Sequence, residues 1–266
     1  MSPSNILSPS GLLCCTRQQW FFASVLFALA GMFRSNGIFL AGFIIWGLLG
    51  PPLLNQRTVA ISSCLERTFK LTAYQPNHRT LLKSLTLTTI VLSPFLGHQY
   101  LAHLSFCSCS ITEPLPRWCS QTLPFIYSYV QSKYWNVGFL RYWTINQLPN
   151  FILAAPTLSL IFAYCFHHLR KMLPELDFSN NSSPSRSFRS PTIDPHAIHA
   201  TIFCFILLVA SHTQIVLRQA GSIPLNYWAA AWLVSEHHTL SRLWVTWSVL
   251  WSLISIVLWS TFLPPA

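Results

Sequence analysis

The chain has 266 residues, 52% of them hydrophobic and only 8% charged, with a mean hydropathy of +0.44. A water-facing domain carries about 25% charged residues to solvate its surface, so a soluble globule is excluded and lipid must cover much of this chain. The formal charge of +10 comes from 16 Lys and Arg against 6 Asp and Glu, yet no basic face or aromatic RNA-binding motif accompanies it, which argues against nucleic acid.

In chain order, residues 1–19 read as a polar N-terminal segment and 20–266 as a multi-pass region. The first eleven residues are rich in Ser and Pro. No signal peptide is expected, because the first apolar run is too long and wrongly flanked for one. That run, 20–49, exceeds the roughly 20 residues of one crossing and is interrupted by Arg34-Ser35-Asn36-Gly37. An arginine buried in a single tilted span is costly, so a broken helix or two short helices meeting at the tetrapeptide is predicted. Gly37 is expected to permit a sharp turn there.

A polar, basic stretch follows, with Arg57, Arg67, Lys70, Arg79 and Lys83. The next span is predicted over 84–106, bent at Pro94. Residues 107–150 form a polar, aromatic loop holding Cys107, Cys109 and Cys119. Two of these are able to pair if the loop faces an oxidising lumen, and their spacing is not that of a zinc site. A third span is predicted over 151–166, with a flexible loop at about 167–196 containing Arg170, Lys171, Arg186, Arg189 and the sequons at Asn180 and Asn181. A fourth span follows over 197–217. The shorter piece 223–234 spans only by extending to His238, or else re-enters. The last span covers 243–262. Cys165 and Cys204 sit inside apolar runs as small hydrophobes. Basic loops lie on the cytosolic side of spans, which places 51–83, 167–196 and 235–242 there. Residues 107–150, 218–226 and the C-terminus then face the other compartment, and the sequons should stay bare.

Polar residues at membrane depth are functional candidates, and four clusters qualify. Arg34-Ser35-Asn36-Gly37 reads equally as an anion clamp through the guanidinium or as a helix break with a snorkelling arginine. The run from Tyr129 to Trp143 mixes aromatics, amides, Lys133 and Arg141. It suits a sugar or phosphate platform, although composition favours an interfacial aromatic belt. Gln147-Leu148-Pro149-Asn150 opens a helix, whose N-terminus attracts anions or is simply capped. In the fourth cluster, Gln214 and Arg218 share a helical face, ahead of Pro224-Leu225-Asn226-Tyr227-Trp228. The adjacent pairs His167-His168 and His237-His238 lack zinc-site spacing. No nucleophile elbow, P-loop or Rossmann glycine pattern is present, and a transporter would need acids at membrane depth that are missing.

Phe33-Arg34-Ser35-Asn36-Gly37, the block Tyr127 to Trp143, Gln147-Leu148-Pro149-Asn150-Phe151, Gln214 with Arg218, Tyr227-Trp228 and Phe262-Leu263-Pro264 together resemble the GPI mannosyltransferase II family, in its C-terminal part. The resemblance implies an all-α polytopic membrane protein with about five to seven transmembrane helices, similar to a truncated GT-C type glycosyltransferase. It implies transfer of the second, α-1,6-linked mannose from dolichyl-phosphate mannose to the GPI-anchor precursor. The place is the endoplasmic reticulum membrane, with no cofactor or metal and with a small accessory membrane subunit among the partners. The implied substrate-binding residues are Arg34, Asn36, Gln131, Tyr134, Trp135, Asn136, Arg141, Tyr142, Asn150, Gln214, Arg218, Tyr227 and Trp228. Such enzymes carry an acid in a Trp-Asp context after their first span. This sequence has no Trp-Asp pair; its acids are Glu66, Glu113, Glu175, Asp177, Asp194 and Glu236, which leaves the catalytic base unassigned and suggests a truncated gene model. The alternative is a non-catalytic membrane protein that binds a lipid headgroup or supports a complex.

Overall fold

Lipid offers no partner to a backbone N–H or C=O, so the apolar runs must satisfy their own polar groups as helices. A computed structural model describes residues 3–50, 77–108, 116–170, 188 and 190–261, and every regular element among them is helical. The chain divides into two compact units, Met1–Tyr129 and Val130–Ala266.

The first unit holds α1 (Ser4–Thr16), α2 (Trp20–Phe33), α3 (Ser35–Gly50) and α4 (His78–His103), the last extended by a π-helical turn, Leu104–Ser108. The segment read as polar therefore forms a helix. The apolar half of α1 explains this, since Leu7, Leu12, Cys14 and Cys15 pack against a core of Phe27, Ala30, Phe43, Ile44 and Val91. The break in the first apolar block lies where expected: Arg34 is extended (φ −148°, ψ 127°) between α2 and α3. The expected reason for Gly37 is corrected. No described glycine adopts a positive φ. Instead, a Cβ on Gly37 would lie 2.6 Å from Cα and 2.8 Å from N of Gly31, so the glycine is required by the close approach of two backbones.

Helix α5 (Ile126–Tyr134) runs from the first unit into the second. The second unit continues with α6 (Leu148–Leu169), α7 (Asp194–Ala210), α8 (Ile215–Gln219), α9 (Pro224–Glu236) and α10 (His238–Ser260). Helix α6 packs on α7 and α9, and α9 on α10. Among the described residues four helices are long and apolar enough to cross a membrane: His78–Ser108, Ile145–Leu169, Pro191–Ala210 and His238–Leu258. The apolar helices Trp20–Phe33 and Ser35–Gly50 are shorter.

The span predicted over 197–217 ends early, because Ser211 is extended (φ −141°, ψ −175°) and α8 begins anew. Helix α9 has 13 residues, about 20 Å, against a hydrocarbon core of about 30 Å. Its C-terminal end is level with that of α6: the Trp232 ring lies 5.0 Å from both His167 and His237. Residues 211–236 thus run from the far end of α7 back to the end of α6 as a passage made in pieces.

The turn into α7 is held by a buried pair that local spacing did not reveal. His168 Nε2 is 2.8 Å from Asp194 Oδ1, and both side chains are almost fully enclosed. His168 Nδ1 and the Tyr164 hydroxyl each lie 3.0 Å from the Phe188 carbonyl. A carbonyl only accepts, so the Nδ1–H donates to Phe188, and the other ring nitrogen faces the carboxyl group.

Removing one member of such a pair leaves the other buried without compensation. Asp194→Ala is expected to cost about 3–5 kcal/mol, and His168→Phe combined with Asp194→Leu much less; melting of the purified protein in detergent compares them. Gly37→Ala is expected to destabilise by roughly 1–3 kcal/mol. Gly97→Ala, where an added Cβ meets nothing within 4 Å, should be neutral or stabilising in the same assay.

Candidate functional site

In the first unit the tetrapeptide break is tied to the start of α5. Ser35 Oγ and Tyr127 Oη are 2.8 Å apart. The Tyr127 N–H donates to Gln99 Oε1 at 3.2 Å, and the Phe95 ring lies 5.7 Å from that of Tyr127. Gln99 is buried on α4; its polarity inside an apolar span was the available signal. Arg34 and Asn36 are half-buried beside this contact in sequence. The Cys107–Cys119 disulfide closes the segment that holds Trp118, which is 2% exposed and lies near His103 and Tyr129. Cys109, Glu113 and the sequons lie outside the described residues.

In the second unit, residues 135–144 form a tight turn. Asn136 (φ 50°) and Leu140 (φ 55°) are both left-handed. Asparagine tolerates that conformation, but leucine carries a cost of about 1–2 kcal/mol. Two contacts hold it: the Leu140 N–H donates to the Val209 carbonyl at 2.6 Å, and Trp143 Nε1–H to the Leu208 carbonyl at 2.8 Å. Both acceptors belong to the last turn of α7, whose carbonyls have no partner within the helix. The aromatic turn is therefore the cap of α7.

Tyr142, 8% exposed, is the centre of the turn. Its hydroxyl accepts from Asn150 Nδ2 at 2.9 Å, and the same amide nitrogen donates to Gln147 Oε1 at 2.6 Å. Burial pushes the Tyr142 phenol above its ordinary pKa, against the opposing effect of the Asn150 bond, which keeps it protonated and able to donate. The His212 ring lies 4.6 Å from the Tyr142 ring, and its Nε2–H donates to the Trp135 carbonyl at 2.8 Å. His212 stood in the fourth cluster, but helical arithmetic drew attention to Gln214 and Arg218 instead.

Around this centre, Arg141 is exposed, and its stem lies over Gly138, where a Cβ would meet Arg141 Cδ at 2.8 Å. Lys133 Nζ sits 5.4 Å from the Tyr134 ring, and Tyr134 and Trp135 are exposed. The Gln131 carbonyl accepts from the N–H groups of Trp135 and Val137. Gln214 precedes α8 and Arg218 lies within it, exposed. Tyr227 donates to the Gly221 carbonyl at 3.0 Å. Trp228 lies elsewhere: it contacts His196 at 5.0 Å, about 18 Å along α7 from the capped end. Trp135, Tyr142 and Asn150 are thus brought together with Gln147 and His212, whereas Trp228 is not. No group of three His, Cys, Asp or Glu suited to a metal occurs among the described residues.

Leu140→Gly should relieve the left-handed cost and stabilise the turn by up to about 1 kcal/mol. His212→Ala should expose the amides of residues 135–143. Hydrogen exchange across this segment reads both, with slower exchange expected for the first variant and faster for the second.

The family model described as Mannosyltransferase (PIG-V) matches residues 4–266. The chain is 37% identical over 265 residues to GPI mannosyltransferase 2 of Schizosaccharomyces pombe, covering 96% of this chain and 50% of that protein. It is 33% identical over 257 residues to GPI alpha-1,6-mannosyltransferase 2 of Mus musculus (85% and 50%). The Homo sapiens protein of that name is 32% identical over 251 residues (82% and 48%). The chain therefore spans about half the length of these relatives. No solved structure matches it. With the capped aromatic turn and the tetrapeptide break both inside a match that runs nearly end to end, this chain belongs to the PIG-V mannosyltransferase family.

Proposed function

We propose that the chain forms part of a multi-pass mannosyltransferase of the endoplasmic reticulum. It would transfer the second, α-1,6-linked mannose from dolichyl-phosphate mannose to the GPI precursor on the lumenal side. The observation that carries this reading is the turn around Tyr142. It sets amide, phenol, imidazole and guanidinium groups at the end of a span, ahead of Leu148 and Pro149 on α6.

The reaction has three requirements. The departing phosphate needs cationic or N–H donors, a role for Arg141. The sugar needs hydroxyl partners, a role for Tyr142 and Asn150. The acceptor hydroxyl needs a base. The carboxylates among the described residues are Asp194 and Glu236, and Asp194 is engaged with His168 at the opposite end of α7, so the base is not part of this turn. That feature also favours the second reading, a non-catalytic binder of lipid headgroups. The Cys107–Cys119 disulfide supports a lumenal position for its segment, since disulfides persist in oxidising compartments. A small accessory membrane subunit belongs to the same reading through the family resemblance.

The test grafts this chain into the S. pombe relative in place of the matching half, in cells lacking that activity. Restored surface GPI anchoring is expected. Arg141→Ala in the graft should lower mannosyl transfer in microsomes by about tenfold or more at unchanged protein level. A stably expressed graft without transfer would overturn the enzymatic reading, and full transfer by the variant would remove Arg141 from it. Topology is read separately: without reductant, Cys107 and Cys119 should resist maleimide added to intact microsomes and to permeabilised ones alike, and should label in the latter after reduction.

A further inference from the structure

Helices α2 and α3 of the first unit fold back on each other, and three contacts fix their register. A Cβ on Gly47 would meet the ring of Trp20, the first residue of α2. The Phe27 and Phe43 rings lie 6.4 Å apart midway along the pair. Gly31 and Gly37 meet beside the break. Paired positions rise along α2 as they fall along α3, so the two helices are antiparallel. A helix that continued across the membrane after its break would instead leave Trp20 and Gly47 about 40 Å apart. The start of α2 and the end of α3 therefore lie together, and the Arg34–Gly37 tip lies at the other end.

Helix α4 shows which way the pair points. A Cβ on Gly31 would lie 4.0 Å from the Val91 carbonyl oxygen, and Ser35 is tied through Tyr127 to Gln99. Later positions on α2 thus meet later positions on α4, and the base of the pair points toward Arg79 and Lys83. Gln99 lies about 24 Å along α4 from Lys83 and about 12 Å from Cys107, so the tip is at the disulfide's end of the helix. Arg17, just ahead of α2, falls with Arg79 and Lys83 on the basic side, as cations beside a cytosolic face do. The tip is seated by two residues of one α4 face: Phe95 holds the Tyr127 ring and the buried Gln99 holds its N–H, which directs the Tyr127 hydroxyl to Ser35. We infer that the first apolar block enters and leaves the membrane at one face, as a hairpin whose Arg34–Gly37 tip is seated by Gln99 and Tyr127 at the face bearing the Cys107–Cys119 segment. Gln99 and Tyr127 then position Arg34 and Asn36, a part in the reaction that rests on the function proposed above.

The experiment introduces Gln19→Cys, Asn36→Cys or Gln56→Cys singly into the full chain, with every cysteine except Cys107 and Cys119 replaced by alanine. Sealed microsomes then meet a membrane-impermeant maleimide. Gln19→Cys and Gln56→Cys should label directly, and Asn36→Cys only after permeabilisation. Protease sites inserted at positions 19 and 56 of the chain with its own cysteines give a second reading, and both should be cut in sealed microsomes. Positions 19 and 56 on opposite faces, position 36 on the same face as both, or no labelling at 36 overturns the inference. Tyr127→Phe and Ser35→Ala remove the same hydrogen bond, so each should speed labelling at position 36 by about fivefold, and the two together no further. Gln99→Leu should act likewise, and Ser35→Thr should leave the rate unchanged. Unchanged rates in the first three variants remove the seating by Gln99 and Tyr127. In the graft, Tyr127→Phe should lower mannosyl transfer by about fivefold at unchanged protein level; full transfer keeps the hairpin and removes its part in the reaction. An inactive graft removes the enzymatic reading, while labelling still decides the hairpin and its seat.

Discussion

A helix leaves its last carbonyls with nothing in the helix to bond, so something outside it must supply the donors. At the end of α7 the carbonyls of Leu208 and Val209 are met by the Leu140 amide and the Trp143 indole. The organisation of the second unit follows from this contact. It bends residues 135–144 into a turn with two left-handed residues, and it sets Tyr142 against His212 and Asn150. The strain at Leu140 belongs to the class that persists only where surrounding contacts over-determine it. An aromatic belt floating at the interface would not require it.

How much of this was legible depended on sequence distance. The break at Arg34 was readable because one cation inside an apolar run is costly in any fold. Helices α4, α6 and α10 were readable as long apolar runs, within a few residues at each end. The end of α7 was missed because apolar Ile215-Val216-Leu217 resume after Ser211-His212-Thr213-Gln214, and the polar tetrapeptide was read as part of one span rather than as its end. His168 and Asp194 lie 26 residues apart, so no local pattern joins them. Gly37 was singled out for the wrong physical reason, since its need comes from Gly31 on a neighbouring helix. In the candidate site, Tyr142 and Asn150 were both chosen, yet the bond between them, and the part played by His212, depend on tertiary geometry alone.

The two units solve the same problem by different means. In the first, a covalent link and a buried indole fix the segment after α4, and the break at Ser35 is secured by a tyrosine hydroxyl. In the second, the far side of α7 is secured by the buried contact between imidazole and carboxyl, and the near side by backbone carbonyls. Each device joins residues remote in sequence, which is what a chain of short helices and broken crossings requires when hydrophobic burial between helices contributes little in lipid.

The Asn150 amide has a fixed hydrogen-bonding polarity toward its surroundings. A side-chain amide nitrogen has two hydrogens, and here one goes to the Tyr142 hydroxyl and the other to the Gln147 carbonyl oxygen. What Asn150 has left to offer a visitor is an oxygen, which accepts. A phosphate has only acceptors to present and would be repelled at this position, whereas a sugar hydroxyl has a hydrogen to give. The turn therefore carries two groups of opposite hydrogen-bonding character, an accepting amide oxygen at Asn150 and an exposed, donating guanidinium at Arg141.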